Sequence, residues 1–305
     1  MILTVTPNPA LDLTWVVDRL EIGGSHRADT GAARAGGKGL NVARVAHAQG
    51  APVLALTTAG GRTGDELRTD LEASGVPHRL IPVDAPTRRS AAWVDRTLGD
   101  STIVNERGVN PSPAEWAAVI AAVREEAAAA SVLIIAGSLP PGAPADLLPA
   151  LIAAADGIDV IVDTSGPGLL AAADAGAAVL KPNRVEVVEA TGIVDPAEGA
   201  RELVRRGAGV VLLSLGSDGL CAVTSTGEWR ARLPAPLAGN PTGAGDAAVA
   251  AAACLLDAGI RDTEVILRRA AAWSAAAVLM PLAGEISPRW RDLERSLIVE
   301  KPPAV

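Results

Sequence analysis

The chain has 305 residues, 49% of them hydrophobic, and a formal net charge of −8. That is enough apolar material for a substantial core in one large α/β unit or two smaller ones. The negative balance argues against a general nucleic-acid or bilayer-surface binder, so any phosphate site must be a local basic cluster. With no Phe, no Tyr and six scattered Trp, platforms for stacking single strands are not expected either, which leaves small ligands.

The chain opens on "MILTVTPNPALD", an apolar run over 2–5 that reads as a strand. No basic segment followed by a long apolar one precedes it, so no secretory signal is visible and a cytoplasmic protein is expected. Residues 11–34, "LDLTWVVDRLEIGGSHRADTGAAR", read as short alternating strands around a "GG" turn. Next comes "AGGKGLNVARV", a Gly-rich turn running into a helix. It is not a Walker A loop, since Lys38 is followed by Gly39, nor is it a dinucleotide fingerprint. Lys38 and Asn41 share a face at the helix start, where a cation and an amide suit a sugar hydroxyl or a phosphate; a solvated Lys and a capping Asn are the plainer reading. After a strand over 53–58, residues 88–108, "RRSAAWVDRTLGDSTIVNERG", again alternate, with an "LGD" turn. If 11–34 and 88–108 pair, they form a small sheet with an exposed face that serves as a lid, a dimer contact or both.

From about residue 110 short Val/Ile/Leu runs alternate with Ala-rich amphipathic stretches, the pattern of βαβ units. The runs "SVLIIA", "DVIVD", "AAVLK" and "GVVLLSL" are apolar on both faces, as buried parallel strands are. They end in small polar loops, "AGSLPPG", "DTSGPG", "KPNRVE" and "SLGSDG", and in open parallel sheets the ligand crevice lies beyond those strand ends. The longest uncharged run, 127–145, is broken by "GSLPPGAP", so no transmembrane segment is expected. "NPTGAGD", residues 240–246, stands at the mouth of an alanine-rich helix that ends by Gly259, which puts Asp246 in a first helical turn. Unpaired N–H groups and the positive end of the dipole make such a turn an anion site, although Asp is also favoured there for structural reasons alone. Cys221 and Cys254 read as two reduced thiols, the alanine enrichment as compositional bias, and the tail "VEKPPAV" as a frayed end.

Two Gly-rich helix starts, one with a base and one with an acid, suit a transfer of phosphoryl between a nucleotide and an anionic acceptor. "GGKGLNVARV" and "NPTGAGD" resemble, in order and spacing, the two signatures of the ribokinase-type, or PfkB, carbohydrate kinases. "TPNPALD", "PTRRS", "NERG", "AGSLPPG", "VDTSGP", "LKPN" and "SLGSDG" are similar to the 1-phosphofructokinase and tagatose-6-phosphate kinase branch over essentially the full length. The implied fold is a three-layer α/β/α ribokinase-like domain with a mostly parallel sheet, built from 1–10, 35–87 and 109–305, and a β lid from 11–34 and 88–108.

The resemblance also assigns roles. Asp246 matches the catalytic base, and Gly243, Ala244 and Gly245 match the anion hole. Asp12 matches the carboxylate that binds sugar hydroxyls, beside Asn41 and the backbone of Gly36 and Gly37. Lys38, Arg88 and Ser138, with Arg27 of the lid, would hold the sugar's phosphate. Lys181 and Asn183 fall on the nucleotide side, and Glu186 matches the residue that orders Mg²⁺ and its waters; Asn183 and Glu186 also suit a capping box. Ser214, Gly216, Gly219 and Thr242 would line the nucleotide phosphates and ribose.

Three positions depart from the branch: Arg107 stands where a Pro is common, Ser25 where some relatives have Lys, and Ala136 where Ser is common. The first two lie near the expected acceptor pocket and bear on which sugar is used. The implied activity is ATP- and Mg²⁺-dependent phosphorylation of a ketohexose phosphate, first of all fructose 1-phosphate to fructose 1,6-bisphosphate. Tagatose 6-phosphate, fructose 6-phosphate and a sugar-phosphate sensor without turnover are the alternatives. The lid is expected to mediate a homodimer.

Overall fold

Strands that are apolar on both faces need a layer of helices on each side, and that requirement sets the architecture. The computed structural model describes residues 1–301. The first half runs β1 (Ile2–Thr6), β2 (Ala10–Val17), β3 (Ala32–Gly36), α1 (Lys38–Ala48), β4 (Val53–Ala59), α2 (Gly61–Ser74), β5 (His78–Pro82), β6 (Arg88–Asp95), β7 (Asp100–Asn105), α3 (Pro113–Ala127) and β8 (Val132–Ala136). There follow α4 (Leu147–Ala153), β9 (Asp159–Asp163), α5 (Pro167–Asp174), β10 (Val179–Leu180), α6 (Arg184–Thr191), α7 (Pro196–Arg206), β11 (Val210–Ser214), β12 (Leu220–Thr224) and β13 (Gly227–Arg232). The chain closes with α8 (Ala244–Asp257), α9 (Thr263–Val278), α10 (Trp290–Ser296) and β14 (Ile298–Glu300).

The main sheet has ten strands in the order β14-β13-β12-β11-β10-β9-β8-β1-β4-β5, parallel from β11 to β5 and antiparallel beyond β11. Successive residues of β8 alternate between two cores: Val132 and Ile134 pack with α1, α2, α8, α9 and α10, whereas Leu133 and Ile135 pack with α3, α4, α5 and α7. From β1 the chain first moves to β4 on one side and later returns to β8 on the other, so the order reverses beside β1. A crevice opens at such a switch point.

Two readings change. Ala247, Ala248 and Ala250 to Ala253 are fully buried, because α8 is covered by the sheet, by α1 and by α9, and small side chains let those elements close on it. The alanines there answer a packing need rather than a bias. The tail is not frayed from residue 299, since β14 pairs with β13 through Ala231↔Val299; the remainder of that reading, 302–305, lies outside the described residues. Cys221 and Cys254 are free thiols. Among the described residues no helix is long and apolar enough to cross a membrane.

Segments 11–34 and 88–108 do meet. The second sheet has four strands, β3-β2-β6-β7, joined through the parallel pair β2·β6 with Asp12 opposite Ser90, and flanked by antiparallel pairs on either side. It stands over the crevice, with Asp12 and Arg88 at its inner end.

Candidate active site

A cleft of about 860 Å³ lies beyond the carboxyl ends of β1, β8, β9, β10 and β11. Of the residues expected at the site, Asp12, Gly37, Lys38, Asn41, Arg88, Ser138, Lys181, Asn183, Glu186, Ser214, Gly216, Gly219, Thr242 and Gly243 to Asp246 line it. Gly36 and Arg27 do not. Gly36 backs the site, because a Cβ there would collide with the Asp12 carboxylate. Arg27 is exposed in the stretch between β2 and β3 and is not part of the lining in this single chain.

The helix start at Gly243 has the geometry of an anion hole. Gly243 has φ +84°, which L side chains rarely adopt, and a Cβ there would stand 2.8 Å from Ala283 Cα. Asn240 fixes the loop: its Oδ1 accepts from Thr242 N at 3.0 Å and its Nδ2 donates to Pro281 O at 3.0 Å. One expected donor is lost, since Ala244 N–H donates to Pro241 O at 3.1 Å. The N–H groups of Gly243, Gly245 and Asp246 keep no backbone partner and are left free to meet an anion.

Asp246 is buried, and Asn41 Nδ2, from the first turn of α1, donates to its Oδ2 at 2.8 Å. Burial raises the Asp246 carboxyl to about 6, helped by the nearby Asp163 charge and opposed by Lys38, Asn41 and Lys181. Asn41 thus lines the cleft while hydrogen-bonded to Asp246.

Lys38, which the resemblance puts beside the acceptor phosphate, lines the cleft and is ion-paired there. Its Nζ donates to Asp163 Oδ1 at 2.8 Å and lies 3.5 Å from Glu186 Oε1. Burial works to lower the ammonium pKa, but Asp163 and Glu186 outweigh it and hold the group above its ordinary range. Lys181, also buried, reaches within 3.5 Å of Asp163 Oδ2. Asp163 is fully buried; burial alone would raise its carboxyl, yet Lys181 and Lys38 hold it below the usual carboxylate range. Asp163 had no assigned role in the sequence, although an acid closing the apolar run "DVIVD" at a strand end was a usable signal.

Glu186 performs the structural role as well. Its Oε2 accepts from Asn183 N at 2.8 Å while Asn183 Oδ1 accepts from Glu186 N at 2.9 Å, a complete capping box at the start of α6. Its other oxygen faces Lys38 in the cleft.

At the opposite end, burial raises the Asp12 carboxyl to about 6 against the pull of Arg88, with Asp246 adding to the rise and Arg34 and Arg44 opposing it. Arg88 is half-buried. Its Nε donates to Asn8 O and its Nη1 to Glu106 O, each at 3.2 Å, so both go to carbonyls and neither to a carboxylate. A second cavity of about 300 Å³ adjoins the cleft at Gly216, Gly219 and Pro241; its walls are largely apolar, among them Leu233, Leu237, Ala271, Ala275 and Val278.

A site with a raised carboxyl at a helix-start anion hole, fed by two lysines, is equipped for phosphoryl transfer. Residues 9–290 match the family described as pfkB family carbohydrate kinase. The chain belongs to that family. This pfkB kinase is 37% identical over 274 residues to a 1-phosphofructokinase of Haloferax volcanii, covering 87% of each chain. It is 38% identical over 263 residues to an ATP-dependent 6-phosphofructokinase isozyme 2 of Mycobacterium tuberculosis, covering 82% of this chain and 76% of the relative. Its fold is similar to that of phosphofructokinase-2 from Escherichia coli in complex with potassium, with a TM-score of 0.88, 29% identity and coverage of 96% of this chain and 98% of that one. The ribokinase-like α/β fold and a carbohydrate kinase activity follow.

Proposed function

We propose that this pfkB kinase transfers the γ-phosphoryl group of ATP to a ketohexose phosphate, and that its acceptor is fructose 1-phosphate, giving fructose 1,6-bisphosphate. One observation carries the reading: Asp246, its carboxyl raised into the working range of a general base, stands in the turn whose free N–H groups receive phosphoryl charge. Asp246 takes the proton of the sugar's C6 hydroxyl, whose oxygen bonds to the γ-phosphorus as the bond to the β–γ bridging oxygen breaks. ADP leaves carrying those electrons.

Asn41 orients the base, Asp12 receives sugar hydroxyls, and Lys38 and Lys181 offset charge on the transferring group. The apolar annexe suits the adenine ring. Among the described residues no group of three or more His, Cys, Asp and Glu gathers as a metal cage. Glu186 would hold Mg²⁺ through water beside the nucleotide's phosphates, since that ion usually keeps several waters. When bound it neutralises phosphate charge.

The M. tuberculosis relative favours a second acceptor, fructose 6-phosphate, which would place the reacting hydroxyl at C1. For assembly, Val16, Ile103 and Val104 are exposed on the lid, which supports a homodimer through that sheet. The test is ADP release with Mg-ATP and fructose 1-phosphate, fructose 6-phosphate, tagatose 6-phosphate, free fructose or ribose. The highest kcat/KM is expected with fructose 1-phosphate. A preference for a 6-phosphate sugar moves the acceptor, and turnover with none of them leaves a sugar-phosphate sensor.

A further inference from the structure

Resting on that reading, we propose that Arg107 is the second cation for the phosphate the acceptor already carries, and that Asn8 aims both Arg107 and Arg88 at it. A phosphate monoester carries close to two negative charges at neutral pH. Of the three cations expected around it, Lys38 is held by Asp163 and Glu186, and Arg27 lies outside the cleft. Arg88 remains, and one half-buried guanidinium is a poor match for a dianion.

Arg107 lines the same end of the cleft. It follows the peptide whose carbonyl, Glu106 O, accepts from Arg88 Nη1, so the two arginines are neighbours through that one group. Among the described residues neither forms an ion pair with a carboxylate, although the Asp12 charge acts on Arg88 from nearby. Glu106, the nearest acid in sequence, turns its Oε2 to Arg89 N at 2.7 Å instead. In a chain where most arginines have an acidic partner, two without one at a single cleft mouth mark a place for an external anion.

Asn8 fixes the pair. It is buried at the end of β1, and its backbone O accepts from Arg88 Nε at 3.2 Å. Its Nδ2 donates to Arg107 O at 3.0 Å and lies 3.4 Å from Ser138 Oγ. A Cβ at Gly108, the next residue, would run into Asn8 Oδ1 and approach the Arg88 stem at 3.3 Å. Only a glycine lets the lid's return strand come this close. One residue thereby ties together Arg88, through its backbone carbonyl, and Arg107 and Ser138, through its side-chain amide.

Two ligands test this by calorimetry without nucleotide: fructose 1-phosphate and inorganic phosphate. Arg107→Ala should weaken both by about 10- to 100-fold, as loss of a charge-assisted bond does, while ATP affinity stays unchanged. Arg107→Lys should recover part of the loss, since an ammonium makes point contacts only. Arg62→Ala, an exposed arginine on α2 that does not line the cleft, controls for net charge and should change neither. Asn8→Ala, with its unfolding temperature checked, should also weaken binding, and its combination with Arg107→Ala should lose less than the product of the two.

Unchanged affinities in Arg107→Ala, or fully multiplicative losses, overturn the proposal. If the wild type binds inorganic phosphate through Arg107 but no hexose phosphate, the cation site stands and the acceptor reading falls. If it binds neither ligand, both fall.

Discussion

The two ends of the cleft are built on opposite electrostatic principles. At the transfer end, Lys38, Asp163, Lys181 and Glu186 are ion-paired with one another before any ligand arrives, and they rest on strand ends and helix starts inside the main core. At the other end, the Arg88 guanidinium donates only to carbonyls with Asp12 acting on it from nearby, Arg107 is exposed, and both sit where the lid sheet leaves and rejoins the domain. A preorganised, charge-compensated transfer end keeps the phosphoryl chemistry independent of which sugar binds. An uncompensated acceptor end binds well only when a ligand supplies the missing anion. Substitutions at the first end should therefore act on kcat and on stability, and those at the second on the sugar KM.

The largest effect is expected at Asp246. Asp246→Asn keeps an oxygen to accept from Asn41 but removes the base, and kcat should fall by about 10²- to 10⁴-fold; a loss under about tenfold rules out the base assignment. The same change should stabilise the unliganded protein. Folding raises this carboxyl from 3.8 to about 6, so its stabilising contribution is complete below the unfolded value and is lost as pH rises through 6. At pH 7 Asp246→Asn should gain on the order of 2 kcal/mol in denaturant unfolding. In the wild type the base must be ionised to act, so kcat/KM should climb with pH to a plateau above about 6 rather than above about 4.

Asp163 is equally buried and should behave in the opposite sense. Its carboxyl is held low by Lys181 and Lys38, so its stability contribution is present above the unfolded pKa and is lost as pH falls through the folded one. Asp163→Asn leaves two cations facing each other without the charge between them, and breaking a buried pair from one side costs roughly 3–5 kcal/mol. A kcat loss of roughly 10- to 100-fold is expected along with it, since each tenfold corresponds to about 1.4 kcal/mol of misplaced transition-state charge. If Asp246→Asn and Asp163→Asn shift the unfolding midpoint in the same direction, the contrast between paired and unpaired buried acids fails.

The sequence carried much of this in local form. Both Gly-rich helix starts, the six buried runs and the strand character of 11–34 and of 88–108 depend on periodicity and turn chemistry that a short window contains. What was missed depends on strand order. The resemblance groups Lys38 with Arg88, but only the strand order, β1 beside β8 and then β9, shows that the start of α1 also reaches Asp163. No window spans residues 38, 163, 181 and 186. Asn8 escaped for a related reason: its partners come from loops at 88, 107 and 138. The edge strands β12 to β14 were overlooked because they break the βαβ alternation that made the rest legible.

The smallest expected effect probes how the two ends communicate. Arg34, on lid strand β3 and opposite Asp12 in register, donates from Nη1 to Ala283 O at 3.0 Å and to Glu285 Oε1 at 3.1 Å. Ala283 is the residue against which Gly243 rests, so this one guanidinium links β3, which pairs with the strand of Asp12, to the loop behind Gly243. The pair is partly exposed, and such ion pairs contribute no more than about 1 kcal/mol. Arg34→Ala should accordingly lower kcat by roughly 2- to 5-fold with sugar and ATP KM values little changed, whereas Glu285→Gln, which spares the bond to Ala283 O, should lower it less. Because the bond to a backbone carbonyl does not depend on Glu285 being charged, raising the salt concentration should close only part of the gap between Arg34→Ala and wild type. A rise in sugar KM with kcat intact would place Arg34 with the acceptor cations instead, and the lid would then not be coupled to the anion hole through this contact.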